Sequence, residues 1–231
     1  MSENQDQLKA AAAESAATRV ADGMIVGLGS GSTAALAVSA IGRRVAQGLR
    51  ITGIPTSEAT AAQAKALGIP LTTLDEVSSI DMTIDGADEV EQGSLNLIKG
   101  LGGALLREKL VASATKALII VADSSKLVTH LGAHDPIPVE VVPFGWETTA
   151  GRLAGLGAAP ALRRNTKGEV FKTDGGHYIL DCRFQPIASA EALASELDHV
   201  VGVVEHGLFI GMASEVHVAG AEGVRVLKRR D

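Results

Sequence analysis

The sequence predicts an α/β protein built around a parallel β-sheet with helices on both faces, together with a smaller α+β domain. Three observations lead to this fold class. Short β-branched segments alternate with alanine-rich segments in the first half of the chain. Glycine-rich or acidic turns follow several of the apolar segments, and the alternation changes to another order near Pro136. Together these patterns predict one large sheet domain and a second, smaller domain.

The first half of the chain contains the predicted parallel sheet. We predict strands at 24–28, 49–54, 69–74, 80–84 and 117–122. We predict helices at 33–45, 57–67 and 103–113. Strands that alternate with helices form parallel sheets that are covered on both faces. Ligands of such sheets bind beyond the carboxyl ends of the strands, and the polar turns of this sequence follow those ends.

The second half follows the order β-α-β-β-α-β, which is typical of a ferredoxin-like unit. Its predicted strands are 139–142, 161–164, 178–183 and 201–204. Its predicted helices are 146–156 and 188–197. We therefore expect an α/β domain at 1–130, an inserted ferredoxin-like domain at 131–206, and C-terminal strands at 207–231 that return to the first domain.

The composition argues against several classes of function. Hydrophobic residues make up 46% of the chain and charged residues 21%, which predicts a packed core. Aromatic residues make up only 3%, and the net charge is -6, so we expect no nucleic-acid partner. No apolar run approaches the ~20 residues that a membrane span needs, so we expect no membrane partner. A few local cations could still bind a small anion.

The cysteine content and the N-terminal segment lead us to expect a cytoplasmic protein without a metal. Cys182 is the only cysteine, so no internal disulfide can form. No Cys/His cluster has the spacing of a zinc site. The first residues lack the basic start and the apolar stretch of a signal peptide.

A glycine-rich segment, Gly27-Leu-Gly-Ser-Gly-Ser-Thr33, joins the first predicted strand to a helix. Glycines let the backbone approach a ligand closely, and amides at a helix start attract anions. A dinucleotide fingerprint would need glycine at position 32, where this chain has Ser32, and a P-loop would need a lysine. The segment therefore predicts a site for a small phosphate or carboxylate, with an ordinary capped turn as the alternative.

Three carboxylates, Asp85, Asp88 and Glu89, follow the strand predicted at 80–84. Acidic residues in turns often serve only as caps, and carboxylates also suit Mg²⁺. Lys99 opens a second glycine-rich turn nearby, which makes an organic anion the simpler partner. Glu108 lies in the following helical segment between charged neighbours, a pattern that is typical of a solvent-facing glutamate.

Several motifs together resemble the type A ribose-5-phosphate isomerases. They are GLGSGST at 27–33, TSEAT at 56–60, DGADEV at 85–90, KGLGGALLREK at 99–109, ADSSK at 122–126 and PVEVVPFGW at 138–146. The resemblance runs over nearly the whole chain. It implies a Rossmann-like domain with an inserted ferredoxin-like domain. It also implies interconversion of ribose 5-phosphate and ribulose 5-phosphate in the non-oxidative pentose phosphate pathway, without metal or organic cofactor.

The resemblance also implies roles for individual residues. Glu108 corresponds to the general base, Asp85 to the carboxylate that opens the sugar ring, and Lys99 to the cation that stabilises the intermediate, while Asp88 lies beside the reacting oxygens. The positions implied for substrate binding are Lys9, Ser30, Gly31, Ser32, Thr33, Gly86, Ala87, Gly100, Leu101, Gly102 and Lys126. Ser30 stands where some members have threonine, and Leu101 and Leu106 replace smaller or polar residues, which affects only the expected shape of the pocket.

Two other classes of function remain as alternatives. A sugar-phosphate sensor on a related fold should carry a helix-turn-helix, and no basic DNA-reading segment is present. An acyl-CoA transferase would form a covalent glutamyl thioester, which mass spectrometry would detect. For the isomerase, the resemblance leads us to expect a homodimer or a homotetramer.

Overall fold

The computed structural model describes residues 3–184 and 187–229. In chain order, the helices of these residues are α1 (Glu3–Ala17), α2 (Ser32–Ala46), α3 (Glu58–Ala66), α4 (Leu105–Ser113), α5 (Trp146–Gly155) and α6 (Ala190–Asp198). The strands are β1 (Ile25–Leu28), β2 (Thr52–Pro55), β3 (Met82–Gly86), β4 (Glu89–Glu91), β5 (Leu97–Ile98), β6 (Leu118–Asp123), β7 (Leu127–Val128), β8 (Ile137–Val141), β9 (Ala158–Leu162), β10 (Tyr178–Phe184), β11 (Val203–His206), β12 (Leu208–Phe209), β13 (Ala213–Gly220) and β14 (Gly223–Lys228).

The largest sheet has the strand order β14-β13-β6-β3-β1-β2. Its neighbouring strands run parallel, except for the antiparallel pair of β13 and β14. Strand β6 is buried along its whole length, as its unbroken apolar segment predicts. The parallel strands β1, β2, β3 and β6 therefore end at one edge of the sheet, and their following turns meet there.

Helices cover both faces of this sheet. Ile119 and Val121 of β6 share an apolar cluster with residues of α1 and α2. Ile120, on the opposite face of the same strand, shares a cluster with Ala112 of α4. The alternation places α4 on the face opposite α1 and α2. In the described part of the chain, no helix has both the length and the apolar character that crossing a membrane requires.

A second, antiparallel sheet has the order β11-β8-β10-β9, and α5 and α6 pack against it. The chain passes through it as β8-α5-β9-β10-α6-β11, which is the ferredoxin-like order. This sheet is inserted between β6 and β13, which are neighbours in the large sheet. The predicted α/β fold class, with a parallel sheet and an additional antiparallel sheet, is thus confirmed.

A small third sheet, β12-β5-β4-β7, was not predicted. Its strands are two or three residues long, too short to show an alternating pattern. The strand predicted at 69–74 is wrong, because only Leu71 forms a bridge, with Gly53 of β2. The strand predicted at 161–164 lies earlier, at Ala158–Leu162, where its partner β10 sets the register.

Candidate active site

A cavity of about 340 Å³ lies at the carboxyl edge of the large sheet. Its walls come from the turn after β1, the turn after β3, the loop that precedes α4, and the N-terminal part of α1. The lining residues are Gln5, Lys9, Ser30, Gly31, Ser32, Thr33, Gly86, Ala87, Asp88, Lys99, Gly100, Gly102, Glu108 and Lys126. Segments that are far apart in sequence thus form one site.

One end of the cavity is suited to an anion. Helix α2 begins there at Ser32, and its N-cap residue, Gly31, makes no side-chain hydrogen bond to the first amides. Those amides and the helix dipole favour a negative charge. The Lys9 Nζ lies 3.3 Å from the Ser32 Oγ, and Lys126 also lines the cavity. Two lysines and a helix start make this end suitable for a phosphate.

The turn after β1 is fixed by hydroxyl groups from the turn after β2. The Ser30 Oγ lies 2.8 Å from the Thr56 Oγ1 and donates to the Ser57 Oγ at 2.7 Å. Gly29 packs directly on the Asp85 side chain, and a Cβ at position 29 would lie 2.2 Å from the Asp85 Oδ1. Only glycine fits there, so the TSEAT and GLGSGST motifs are packed as one unit against the acidic turn.

Lys99 lies at the centre of the buried charges, with only 2% of its surface exposed. Its Nζ donates to the Gly86 carbonyl at 2.7 Å and lies 2.9 Å from the Asp85 Oδ2 and 3.4 Å from the Glu108 Oε1. Burial alone would lower the pKa of Lys99, but the carboxylates of Asp85 and Glu108 outweigh it and raise the pKa above its ordinary value. The ammonium therefore stays charged.

The two aspartates of the acidic turn occupy different places. Asp85 lies beneath the cavity, where its Oδ1 accepts hydrogen bonds from the amides of Ser30 and Gly86. Asp88 lines the cavity, and its Oδ2 accepts from the Leu101 amide at 2.9 Å. Burial raises the pKa of Asp88, although the Leu101 amide and the charge of Lys99 oppose the shift. Asp88 is thus the aspartate that a bound ligand can reach.

Glu108 reaches the cavity from the first turn of α4, and only 5% of its surface is exposed. Its Oε2 is buried without a hydrogen-bond partner among the described residues. Burial raises the pKa of Glu108 to about 8, because Asp85 and Asp88 add to the effect and the charge of Lys99 only partly offsets it. Its carboxyl group is therefore poorly solvated and can take up or release a proton near neutral pH.

Glu89, the third acid of the turn, has a different environment. It is 1% exposed, and its carboxylate accepts hydrogen bonds from the amides of Gly132, His134 and Asp135 at 2.7, 2.7 and 2.9 Å. It does not line the cavity. Glu89 therefore fixes the loop 132–135 to strand β4.

The structure brings nearly all the site residues considered from the sequence around this cavity. Asp85 lies beneath the cavity. Leu101 does not line the cavity either, but its amide donates a hydrogen bond to the Asp88 carboxylate. Gln5 lines the cavity and was missed, because a single glutamine in a polar helix start carries no signal in the sequence. The solvent-facing position that the charged neighbours of Glu108 suggested is wrong, since Glu108 is buried.

The fold and the site together define a class of protein. A buried carboxyl group with a raised pKa, next to a buried ammonium and an anion-binding helix start, is the arrangement of an enzyme that moves protons on a small anionic substrate. The model of the family "Ribose 5-phosphate isomerase A (phosphoriboisomerase A)" matches residues 52–223. The chain belongs to this family of isomerases, as the motifs predicted.

Individual relatives agree with this assignment. The chain is 59% identical to ribose-5-phosphate isomerase A of Synechococcus sp. (strain JA-3-3Ab), over 97% of this chain and 98% of that one. It is 61% identical to the Gloeobacter violaceus protein of the same name, over 96% of both chains. The structure of ribose 5-phosphate isomerase A from Methanocaldococcus jannaschii superimposes with a TM-score of 0.93 at 40% identity, covering 96% of this chain and 99% of that chain.

A second solved structure bears on the ligand. A D-ribose-5-phosphate isomerase in complex with phospho-erythronic acid matches with a TM-score of 0.95 at 37% identity, covering 98% of this chain and all of that chain. Its ligand is an acid that carries a phosphate group. That isomerase therefore binds a small phosphorylated molecule.

Proposed function

We propose that this isomerase interconverts D-ribose 5-phosphate and D-ribulose 5-phosphate through an enediolate intermediate, without a metal or organic cofactor. The observation that carries the proposal is the position of Glu108. Its buried carboxyl group has one oxygen without a hydrogen-bond partner among the described residues and the other 3.4 Å from the Lys99 Nζ. A base and a cation are thus adjacent at the end of an anion-binding cavity.

The phosphate would bind at the start of α2. The amides of Ser32 and Thr33 and the lysines Lys9 and Lys126 supply donors and positive charge there. Binding at this remote group would hold the sugar carbons near Glu108 and Lys99. Energy from a non-reacting part of the substrate is then used to position the reacting part.

Ring opening needs a proton donor or acceptor beside the ring oxygen and the anomeric hydroxyl. The resemblance gives this role to Asp85, but the geometry supports Asp88 more directly. Asp88 lines the cavity, whereas Asp85 lies beneath it with its oxygens bonded to two amides and Lys99. The raised pKa of Asp88 also favours a group that can hold a proton. We assign Asp85 to keeping Lys99 charged and oriented.

The isomerisation itself moves one proton between adjacent carbons. Glu108 would remove the proton from C2 of the open-chain aldose, which places negative charge on the oxygen at C1. The Lys99 ammonium would stabilise that oxygen while a proton passes to it from the hydroxyl group at C2. Glu108 would then return its proton to C1, which leaves the carbonyl group at C2. The poor solvation of Glu108 makes its carboxylate a stronger base, and a buried cation stabilises developing charge more than an exposed one does.

We also propose that the chain acts in the cytoplasm as a homodimer or homotetramer. Its cysteine, Cys182, is free and buried, which suits a reducing compartment. Phe144 is 94% exposed and Val201 is 73% exposed. Apolar side chains exposed to this degree support a contact between copies of the chain.

A coupled assay tests the proposed reaction. Purified enzyme is incubated with ribose 5-phosphate, and the formation of ribulose 5-phosphate is followed with and without EDTA. We expect turnover that EDTA does not change. Ribose, which lacks the phosphate, is the matched control and should react far more slowly. Absence of turnover would contradict the assigned reaction, and turnover lost in EDTA would contradict the metal-free mechanism.

A further inference from the structure

Lys109 follows Glu108 directly in α4, and no step of the proposed reaction uses it. It does not line the cavity, and its side chain is only 15% exposed. Burial lowers the pKa of its ammonium, although Glu205 opposes the shift. A buried ammonium is costly unless it is paired, so its partners indicate what it does.

Among the described residues, the hydrogen-bond partners of Lys109 belong to residues 205–209, which we call the β11–β12 turn. The charge of Asp198 also acts on its ammonium. The Lys109 Nζ donates to the His206 carbonyl at 2.7 Å and to the Glu205 Oε1 at 2.6 Å. It also lies 5.0 Å from the centre of the Phe209 ring, and the Lys99 Nζ lies 5.5 Å from the same centre. The two lysines therefore share one aromatic neighbour.

His206 makes this turn a fixed structure. Its Nδ1 accepts from the Leu208 amide at 3.2 Å, so its Nε2 carries the proton and faces the Asp198 Oδ1 at 3.1 Å. Burial lowers the pKa of His206 to about 4, and the ring is neutral at neutral pH. Ligand atoms of Asp198, Glu205 and His206 lie within 4.8 Å of one another. The Lys109 ammonium already places a positive charge beside Glu205 and His206, as a bound metal ion would.

The same turn is bonded to the backbone of Lys99. The Gly207 carbonyl accepts from the Lys99 amide at 2.9 Å, and the Gly207 amide donates to the Pro138 carbonyl at 2.7 Å. A Cβ at position 207 would lie 2.2 Å from the Lys99 carbonyl oxygen. Only glycine permits so close an approach, so the position of Lys99 depends on the position of the turn.

We propose that Lys109 is a positioning residue, which fixes helix α4 to the β11–β12 turn and thereby sets the distance between Glu108 and Lys99. The inference rests on the proposed function, because it needs Glu108 as base and Lys99 as charge stabiliser. Glu108 is attached to Lys109 through the helix, and Lys99 to Gly207 through a backbone hydrogen bond. The β11–β12 turn is therefore the common support of both groups, and the Lys109 ammonium joins the helix of Glu108 to it.

The variant Lys109→Met tests this, because methionine keeps the apolar stem and removes the ammonium. We expect kcat to fall roughly 10- to 100-fold, as displacements of about 1 Å do in active sites. We expect KM to stay within about threefold, because the phosphate anchor is unchanged. The pH profile of kcat should shift to higher pH, since a less closely held Lys99 stabilises the Glu108 carboxylate less. Lys109→Arg should restore part of kcat.

The control is Lys116→Met, because Lys116 pairs with Asp81 on the surface, with 64% of its side chain exposed. It should leave kcat and the pH profile unchanged. If Lys109→Met does not fold, Glu205→Gln removes the charge partner of Lys109 and should shift kcat and the profile in the same direction. Wild-type kcat and pH profile in folded Lys109→Met or in Glu205→Gln would overturn the inference. An inactive wild-type enzyme would contradict the proposed function instead.

Discussion

Glu89 and Glu108 are both buried glutamates, with 1% and 5% of their surfaces exposed, but their surroundings differ. Three backbone amides donate to the carboxylate of Glu89. Glu108 has one cation at 3.4 Å and an Oε2 without a partner among the described residues. A carboxylate whose oxygens are fully bonded stabilises the fold, whereas one that is buried and only partly bonded is available for chemistry.

The two surroundings also differ in what they contain. The groups that donate hydrogen bonds to Glu89 are backbone amides, which cannot change their charge. The groups that face Glu108 are the titratable side chains of Lys99, Asp85 and Asp88. The proton affinity of Glu108 therefore depends on neighbours that a substrate can contact, because Lys99 and Asp88 line the same cavity. Three experiments test whether these surroundings determine the different roles of the two glutamates.

The largest effect is expected from Glu108→Gln. The amide has the size of the carboxyl group but cannot act as a base, so kcat should fall by about 10²- to 10⁴-fold. The free energy of unfolding should not decrease, since the change removes a buried and incompletely bonded carboxyl group. Steady-state kinetics and urea unfolding measure the two quantities. Turnover close to that of the wild type would remove Glu108 from the base role.

The second expected effect is that activity and stability change in opposite directions with pH. As pH rises, kcat/KM increases and the contribution of Glu108 to the free energy of unfolding decreases. The pKa of Glu108 is about 8 in the folded enzyme, against an ordinary value of 4.5. Below pH 8, kcat/KM should rise about tenfold per pH unit, because the base must be deprotonated. Between pH 4.5 and 8 the folded enzyme holds a proton that the unfolded chain has lost, so this contribution to the free energy of unfolding decreases as pH rises.

Rate measurements and urea unfolding at a series of pH values test this dependence. The Glu108→Gln variant is the control for stability, since it should lack the part of the pH dependence that comes from residue 108. An activity profile that stays flat between pH 6 and pH 9 would show that no group with such a pKa controls the reaction.

The smallest effect on turnover is expected from Glu89→Gln. An amide group offers one oxygen to three backbone amides, so we expect the free energy of unfolding to fall by about 1.5–3 kcal/mol. The kcat of the folded variant should stay within about threefold of the wild type, since Glu89 does not line the cavity. Urea unfolding and kinetics on the same preparation give both values. A large loss of kcat without loss of stability would contradict the structural role of Glu89.

The predictions of secondary structure from the sequence succeeded where a single segment had a clear pattern of apolar residues. The apolar segment of β6 and the alanine-rich segment of α2 lie close to their predicted positions. The third sheet was not predicted, because a strand as short as Leu97–Ile98 shows no pattern of its own and pairs with a segment as distant as Leu208–Phe209. The apolar residues at 69–74 pack without forming a strand, so hydrophobicity alone was misleading there.

The site was predictable in outline for a different reason. Glycines and acids at strand ends predicted an anion site at the carboxyl edge, which follows from the geometry of parallel sheets. The proposed role of Glu108 came only from the resemblance, because its charged neighbours are typical of an exposed helix face. Glu108 pairs with Lys99, and the helix that carries Glu108 is bonded to the distant β11–β12 turn through Lys109. Such long-range contacts leave no local signal, and the same holds for Lys109.

The contact between Lys99 and Gly207 also determines when the site can form during synthesis. A chain emerges from the ribosome N-terminus first, so Glu108 and Lys99 are made well before residues 205–209. Their backbone support, residues 205–209, follows Glu108 by about a hundred residues. We expect a nascent chain that stops before residue 205 to contain every proposed catalytic residue and still be inactive, because the turn that positions them does not yet exist.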